Sequence, residues 1–497
     1  MNLRKVGLIK LIRAKNLENL SRYYSLPLTI WETACEIENR SIGEAWQALS
    51  EGNYRKFIPF NIVNGERIRK VETNDPQPKE QNFKTPDLIK NAINAISPCV
   101  FNPEYVGWWV DGLEKAFLDQ KKIVQELIHS GNLDKDEKKK LGNDLFRLEK
   151  KYINERLSQS TILYQQPVLI EATSKKGERL YEYTAAYKPQ VSGRLTEIGG
   201  GMQNASRVFK YLAFEDVKDS YNYDLKASQA NILIQELDIC GVDSSWISEY
   251  IADSAAKYTY AEEIGTDPET WKTCLYATFM GANPNMAGST IQTTLIDFFD
   301  NEKLGKAAVK NFREVTNELF LATEKWRTKI VSKTESPFIY DSRKGGYRHW
   351  KNACEMKHKK FGIDRNDRYV NMEVIEDDKS SKNYGNPKIL KSTAEAKRKL
   401  AAFILQGQEA CFIHHLTIIC KNIGIKVMRN EHDGIITDKL IPGKIVRLAG
   451  CRANLSGAEL EQKALAGEED IDKASKLIGK KIPYNWKPGE IAKKKAT

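Results

Sequence analysis

From residue 224 to residue 330 apolar side chains recur at helical spacing, through SQANILIQELDIC, WISEYIADSAAKYTYAEEI, DPETWKTCLYATFMG and NEKLGKAAVKNFREVTNELFLATEKWRTKIV. The segments that alternate in the manner of strands lie on both sides of this block. TILYQQPVLIEAT and RLYEYTAAY, with KKGE as a turn between them, cover 161–190, and IKVMRN and IITDKL flank EHDG far downstream. A sheet drawn from both sides has to close around a helical insertion. The chain is therefore expected to be α/β in the mixed α+β sense, with a small core sheet and a largely helical remainder.

The rest of the sequence fits around that core. Residues 1–105 read as short helices and loops, and Leu8, Ile9, Leu11 and Ile12 fit one helical face. NDPQPKEQNFKTPD (74–87) is polar with three prolines and reads as a linker. GLEKAFLDQKKIVQELIHS and DEKKKLGNDLFRLEKKYINERLSQ predict an antiparallel helical hairpin over 112–157, turning at GNLDK. Its polar faces are basic, as suits either a solvated surface pair or a clamp on a phosphate backbone. Residues 335–390 are mixed, rich in charge and glycine, and a helix is expected at STAEAKRKLAAFILQGQEACFIHHLTIICKNI. The tail, 451–497, is amphipathic and ends in AKKKAT.

A net charge of +11 favours polyanionic partners through field effects and counterion release. No apolar run reaches the roughly 18 residues of a membrane helix, so the expected location is cytoplasmic, with no membrane partner. The eight cysteines form no CxxC pair and no zinc spacing. They read as buried thiols of a reducing compartment.

Two segments stand out chemically. In Asn430-Glu431-His432-Asp433-Gly434 apolar strands run into and out of an acidic turn, where an exposed carboxylate can meet a metal without being buried unpaired. In Tyr221-Asn222-Tyr223-Asp224-Leu225 an aromatic strand delivers an aspartate just before a helix begins. Taken singly, the first is also an ordinary Asp-Gly turn, and in the second Asp224 or Ser228 is also a plausible helix cap. Together, two carboxylates on neighbouring strands are the minimum that holds two Mg²⁺ ions (Mn²⁺ as a possible substitute) roughly 3.5–4 Å apart. Magnesium suits such a site because it takes one or two carboxylates plus substrate phosphates.

In order and surroundings these residues resemble family A DNA polymerases, the bacterial DNA polymerase I type, and their relatives the single-subunit phage-type RNA polymerases. Ser192-Gly193-Arg194-Leu195 followed by Gly201-Met202-Gln203-Asn204 resembles the family's T-G-R-L…L-Q-N segment. Asp224 with the following Ser-Gln helix resembles motif A. Lys272-x3-Tyr276-x4-Gly281 resembles motif B, and His432-Asp433 resembles motif C. Gln406-Gly407-x-Glu409-Ala410 resembles the Q-G-T-A helix. The matches span residues 190–435.

The resemblance implies roles. Asp224 and Asp433 would ligate the metals. Lys272 would hold the triphosphate and protonate the leaving pyrophosphate, and Tyr276 would stack on the incoming nucleotide, with Met280 beside it. Arg194, Gln203, Asn204, Gln406 and His432 would meet the primer–template, His432 also being a candidate for positioning Asp433. The partners would be a DNA primer–template, or a DNA template with an RNA product, and nucleoside triphosphates.

The sequence also departs from the family. Pro268 stands where motif B carries an Arg four residues before the lysine, and Met280 where it carries a Tyr. Position 190 is Gln, where the DNA enzymes tend to have Thr and the RNA enzymes Asp. Gln229 falls at the position where the DNA enzymes use Glu, and the RNA enzymes Gly, to sense the sugar 2′ position.

The expected architecture is a right hand. Residues 1–105 form an N-terminal region of unknown role, 106–160 a thumb-like hairpin, 161–235 the first part of the palm, 236–400 the fingers, 401–450 the second part of the palm and 451–497 a C-terminal extension. Strands around 161–224 and 425–440 are expected to make the palm sheet. No acidic constellation in 1–185 supports a proofreading exonuclease. The long side chain at 229 and the Gly-Arg-Leu…Gln-Asn segment favour DNA synthesis. An RNA polymerase is the alternative within the superfamily, and a catalytically weak, polymerase-like nucleic-acid-binding protein is the alternative outside catalysis.

Overall fold

The computed structural model of the chain describes residues 85–484 except 131–133, 174–176, 178, 216, 333–338, 342–344, 364–371, 376–386 and 391, together with four short strands before them. Those strands are Lys10–Ile12, Tyr23–Ser25, Ile62–Val63 and Glu66–Arg67. Lys10–Ile12 pairs antiparallel with Tyr23–Ser25, so the expected helical face at Leu11 and Ile12 is a strand. A run this short and apolar carries no decisive period, and Ile favours the extended form. Most of the proline-bearing linker, 74–84, lies outside the described residues.

The fold is mixed α/β, mostly helical, with small antiparallel sheets. The sheet that matters most has four strands in the spatial order Val427–Asn430, Gly434–Thr437, Tyr221–Leu225, Leu460–Gln462. It thus joins three parts of the chain that are distant in sequence. Its fourth strand comes from the segment set aside above as a C-terminal extension. The strands of 161–190 do not join it. Val168–Thr173 and Arg179–Tyr183 instead build a separate sheet with Cys99–Phe101, in which Arg179–Tyr183 is central, and Tyr187–Pro189 pairs with Leu195–Glu197. Residues 161–164, expected as strand, close the helix Lys135–Tyr164. Its buried side there is Tyr152, Glu155, Ser158, Thr161 and Ile162, a helical stripe that is largely polar and so hidden from a hydrophobic pattern.

The central sheet is covered on both faces. Tyr223, Leu225, Val427 and Ile435 belong to one core, shared with Leu233, Trp271, Leu405 and Leu416 of the surrounding helices. Met428 and Ile436 belong to a second core with Trp109, Leu113, Phe209 and Ile471. This is the period-two alternation of a strand with apolar partners above and below. Asp224 lies between Tyr223 and Leu225, so it points to the second face, at the end of the sheet where the 431–433 turn closes the hairpin.

The long helix Ser392–Asn422 packs against Asp87–Ala95, Ser228–Ile239, Asn317–Ser332 and Gly443–Ala453. Gly407 lies where Asn352 crosses it: the Asn352 amide donates to Ser192 O (2.7 Å) and Phe403 O (3.2 Å), and a Cβ at 407 would overlap that amide. The basic hairpin is the pair Pro103–His129 and Lys135–Tyr164, longer at both ends than the apolar pattern indicates. Its base is buried through Trp109, Leu113, Phe117 and Tyr152, while Lys121, Lys122, Lys138, Lys139 and Lys140 are exposed. No helix among the described residues is long and apolar enough to cross a membrane. The described cysteines are free, and all but Cys451 are buried.

Candidate active site

The hairpin turn is held by its own main chain. Glu431 N–H donates to Gly434 O (2.9 Å) and Asp433 N–H to Glu431 O (3.1 Å), with His432 at φ 73° and its N–H on Asn430 Oδ1 (3.2 Å). Leu225 N–H then donates to Asp433 O at 2.8 Å, so the residue after one aspartate is bonded to the other aspartate. Gly434 pairs with Asp224 across the strands, and a Cβ at 434 would lie 2.6 Å from Asp224 Oδ1. Only glycine lets the Asp224 carboxylate lie against this strand.

Asp433 is exposed, and the Asp224 side chain keeps 33% of its exposure. Burial, then the negative charge of Asp433, push the Asp224 carboxyl above the usual carboxylate range, and Lys463 opposes them. The Leu225–Asp433 main-chain bond and the Asp224–Gly434 register bring the two aspartates side by side at this end of the sheet. Among the described residues no group of three or more His, Cys, Asp or Glu is disposed to hold a metal. Two hard carboxylates, one exposed and one partly so, fit a magnesium ion that completes its shell with water and substrate oxygens.

Beneath the turn is a buried polar network. Arg429, wholly buried, donates to Glu197 Oε2 (2.7 Å) and to Tyr183 OH (3.0 Å), and its Nε is 3.7 Å from Glu431. Glu431 also pairs with Lys210. Gln203, expected at the primer–template, is turned into this network. Its amide donates to Leu195 O (3.0 Å) and Asn430 O (2.9 Å), and its carbonyl accepts from Glu197 N–H (2.8 Å). It therefore fixes the strand that leads into the acidic turn. Asn204 is exposed.

Glu409, one turn along from Gln406, is fully buried, pairs with Arg194 and accepts from Ser228 Oγ at 2.9 Å. Ser228 is thus no cap: the helix Ser228–Ile239 starts from Ala227 in the left-handed region, without a side-chain cap. Burial pushes the Glu409 carboxyl up to about 7; Arg194 lowers it and Asp433 raises it. Burial, then the neighbouring Arg194 and Lys210 charges, bring His432 down to about 4, so its ring is neutral near pH 7. Its Nδ1 is buried without a hydrogen-bond partner among the described residues.

The helix Pro268–Phe279 packs against the helix Ser228–Ile239 that follows Asp224. Asp267 caps it, accepting from Glu269 and Thr270 N–H, and Pro268 is its first residue. The residue that replaces the family's Arg is thus a helix-starting proline, whose missing N–H costs nothing there. Lys272 is exposed, with its ammonium 5.7 Å from the Tyr276 ring centre one turn on. Burial pushes the Tyr276 hydroxyl up to about 12, with Tyr250, Asp433 and Glu409 adding to the rise. Tyr276 therefore lies within electrostatic reach of one of the two aspartates. Met280, half-buried, ends the helix, and Gly281 follows at φ 89°. Gln229 and Gln406 are half-buried and make no side-chain hydrogen bond among the described residues.

Sequence reasoning gave no role to Glu409, Arg429, Glu197, Lys210 or Lys463. A visible signal existed for Arg429, a charge directly after the apolar Val427 and Met428 of its strand. Lys463 directly follows a strand, Leu460–Gln462, too short and polar to announce itself.

No protein-family model matches the chain, and no curated protein sequence matches it. Among solved structures, one that it is similar to is the POL domain of Pol1 from M. smegmatis, in complex with DNA primer-template and dNTP. That similarity has a TM-score of 0.47 at 11% sequence identity and covers 76% of this chain and 68% of that chain.

Proposed function

We propose that the chain is a template-directed nucleotidyltransferase of the family A polymerase type that extends a DNA primer. The observation that carries this reading is the pairing of Asp224 with Asp433. Asp224 stands on the strand Tyr221–Leu225 and Asp433 in the turn that leads into the neighbouring strand Gly434–Thr437, joined by the Leu225–Asp433 main-chain bond, with a glycine where any side chain would strike the first carboxylate. Divalent cations bound there would activate a 3′-hydroxyl for attack on an α-phosphate and neutralise the departing pyrophosphate.

The chain's own residues supply the rest. Lys272, exposed on the helix Pro268–Phe279, holds the triphosphate and gives its proton to pyrophosphate. Tyr276 lies under the incoming nucleotide and Met280 borders it. Arg194, anchored by Glu409, meets the primer end with Asn204 and Gln406. Neutral His432 positions Asp433 from within the turn, and Gln203 acts through Asn430 rather than by touching nucleic acid. The central sheet is the palm, the helices of 236–400 the fingers, and the 103–164 hairpin a thumb whose exposed lysines run along phosphates. The direct test is primer extension in Mg²⁺ with deoxy- and ribonucleotides in parallel.

Gln229 is the residue on which sugar choice turns. It lies five residues beyond Asp224, and its side chain makes no hydrogen bond among the described residues. A side chain that fills the space of a 2′-hydroxyl rejects ribose by on the order of 10²-fold. Gln229→Gly should therefore raise ribonucleotide incorporation by up to about 10²-fold while deoxynucleotide incorporation changes little. If the wild type prefers ribonucleotides and Gln229→Gly weakens their use, the amide is hydrogen-bonding the 2′-hydroxyl, and the RNA polymerase reading replaces the DNA one.

A further inference from the structure

The edge strand of the central sheet brings a cation onto Asp224. Register sets Glu461 directly opposite Asp224, and Lys463, two residues on, is carried on the same face, its N–H donating to Asn222 O at 3.1 Å. The Lys463 ammonium lies 3.3 Å from Asp224 Oδ2 and 3.2 Å from Glu461 Oε2. The other Asp224 oxygen, Oδ1, faces Gly434. One oxygen of the carboxylate is thus packed on a strand and the other is covered by an ammonium.

Burial does not force the ammonium onto Asp224. The Lys463 side chain is 42% exposed, so water can solvate it as well as the two carboxylates do. The arrangement has two consequences for a cation arriving at Asp224. It finds the carboxylate already turned and held, and it must displace or repel a positive charge in direct contact with its ligand.

We propose that Lys463 is a positioning residue for Asp224, which holds the carboxylate while no divalent cation is bound, gives way to the cation by shifting onto Glu461, and so sets the concentration at which the site fills. This rests on Asp224 and Asp433 being metal ligands, as proposed above. Glu461 supplies the second anchor that lets the lysine release one carboxylate without losing both partners.

The test is Mn²⁺ binding to the full chain, without nucleic acid or nucleotide, followed by the electron paramagnetic resonance signal of free Mn²⁺. Lys463→Met keeps the stem and removes the charge. It should bind Mn²⁺ about 3- to 10-fold more tightly than wild type, because a repulsion at contact distance but partly open to solvent is removed. A gain in affinity cannot come from misfolding. Asp224→Asn, in parallel, should lose the binding. If Asp224→Asn loses binding and Lys463→Met binds no more tightly than wild type, Lys463 does not tune the site and the proposal is overturned. If Asp224→Asn binds Mn²⁺ as wild type does, the metal reading itself falls, and this proposal with it.

Discussion

Asp224→Asn should reduce nucleotide addition by on the order of 10³-fold or more while primer–template affinity stays within about threefold of wild type. Charge stabilisation by a bound cation is worth several kcal/mol in the transition state, and each ~1.4 kcal/mol is tenfold in rate. Asn keeps the shape that lies against Gly434 and loses only the charge. The fold should tolerate it, because burial and Asp433 already disfavour the Asp224 carboxylate in the folded chain. Asp433→Asn should have the same effect. The double variant should be little worse than either single one, since groups that hold one centre do not contribute additively. Single-turnover extension gives the rate and fluorescence anisotropy of a labelled duplex gives the affinity. Extension by either variant at more than about a tenth of the wild-type rate would contradict the assignment.

Arg429→Met should destabilise the protein by about 3–5 kcal/mol, the scale for removing one partner of a buried ion pair. Glu197 would remain fully buried, left with neutral donors, Tyr183 OH at 3.2 Å, Gln203 N–H at 3.0 Å and Gln165 Nε2 at 3.4 Å, but no cation. Adding Glu197→Gln should recover part of the loss, because replacing both partners leaves no uncompensated charge. Urea unfolding of the single and double variants measures this. A single variant within about 1 kcal/mol of wild type would show that the Arg429–Glu197 pair does not hold the hairpin. Activity should fall with stability, since Arg429 immediately precedes Asn430, whose side chain and carbonyl fix the turn and Gln203.

How far the sequence alone reached depends on the range of the interaction. The helix after Asp224, the 427–437 hairpin and the basic helical pair are local patterns, and periodicity with turn chemistry located them. Which strands pair is not local. Val168–Thr173 and Arg179–Tyr183 alternate like any sheet strands, and nothing in them says that Cys99–Phe101 is their neighbour rather than Tyr221–Leu225. Leu460–Gln462 has three residues and two polar side chains, so only its register with Asp224 reveals it. The candidate site divides in the same way. That Asp224 ends a strand and Asp433 sits in a turn could be read locally, and the structure leaves Asp433 exposed and Asp224 half-buried there. The inward turn of Gln203, the burial of Glu409 and the approach of Lys463 to Asp224 are tertiary, made by segments up to 239 residues apart in numbering (463 − 224).

The most direct measurement is extension of a labelled DNA primer on a DNA template by the wild-type chain with Mg²⁺, supplying deoxynucleotides and ribonucleotides in separate reactions, with an Asp224→Asn control. The expected result is template-specified, Mg²⁺-dependent extension with deoxynucleotides, extension with ribonucleotides that is weaker by on the order of 10²-fold, and none in the control. Duplex binding without extension by either nucleotide class, in Mg²⁺ or Mn²⁺, would contradict it and leave a polymerase-like binding protein in its place.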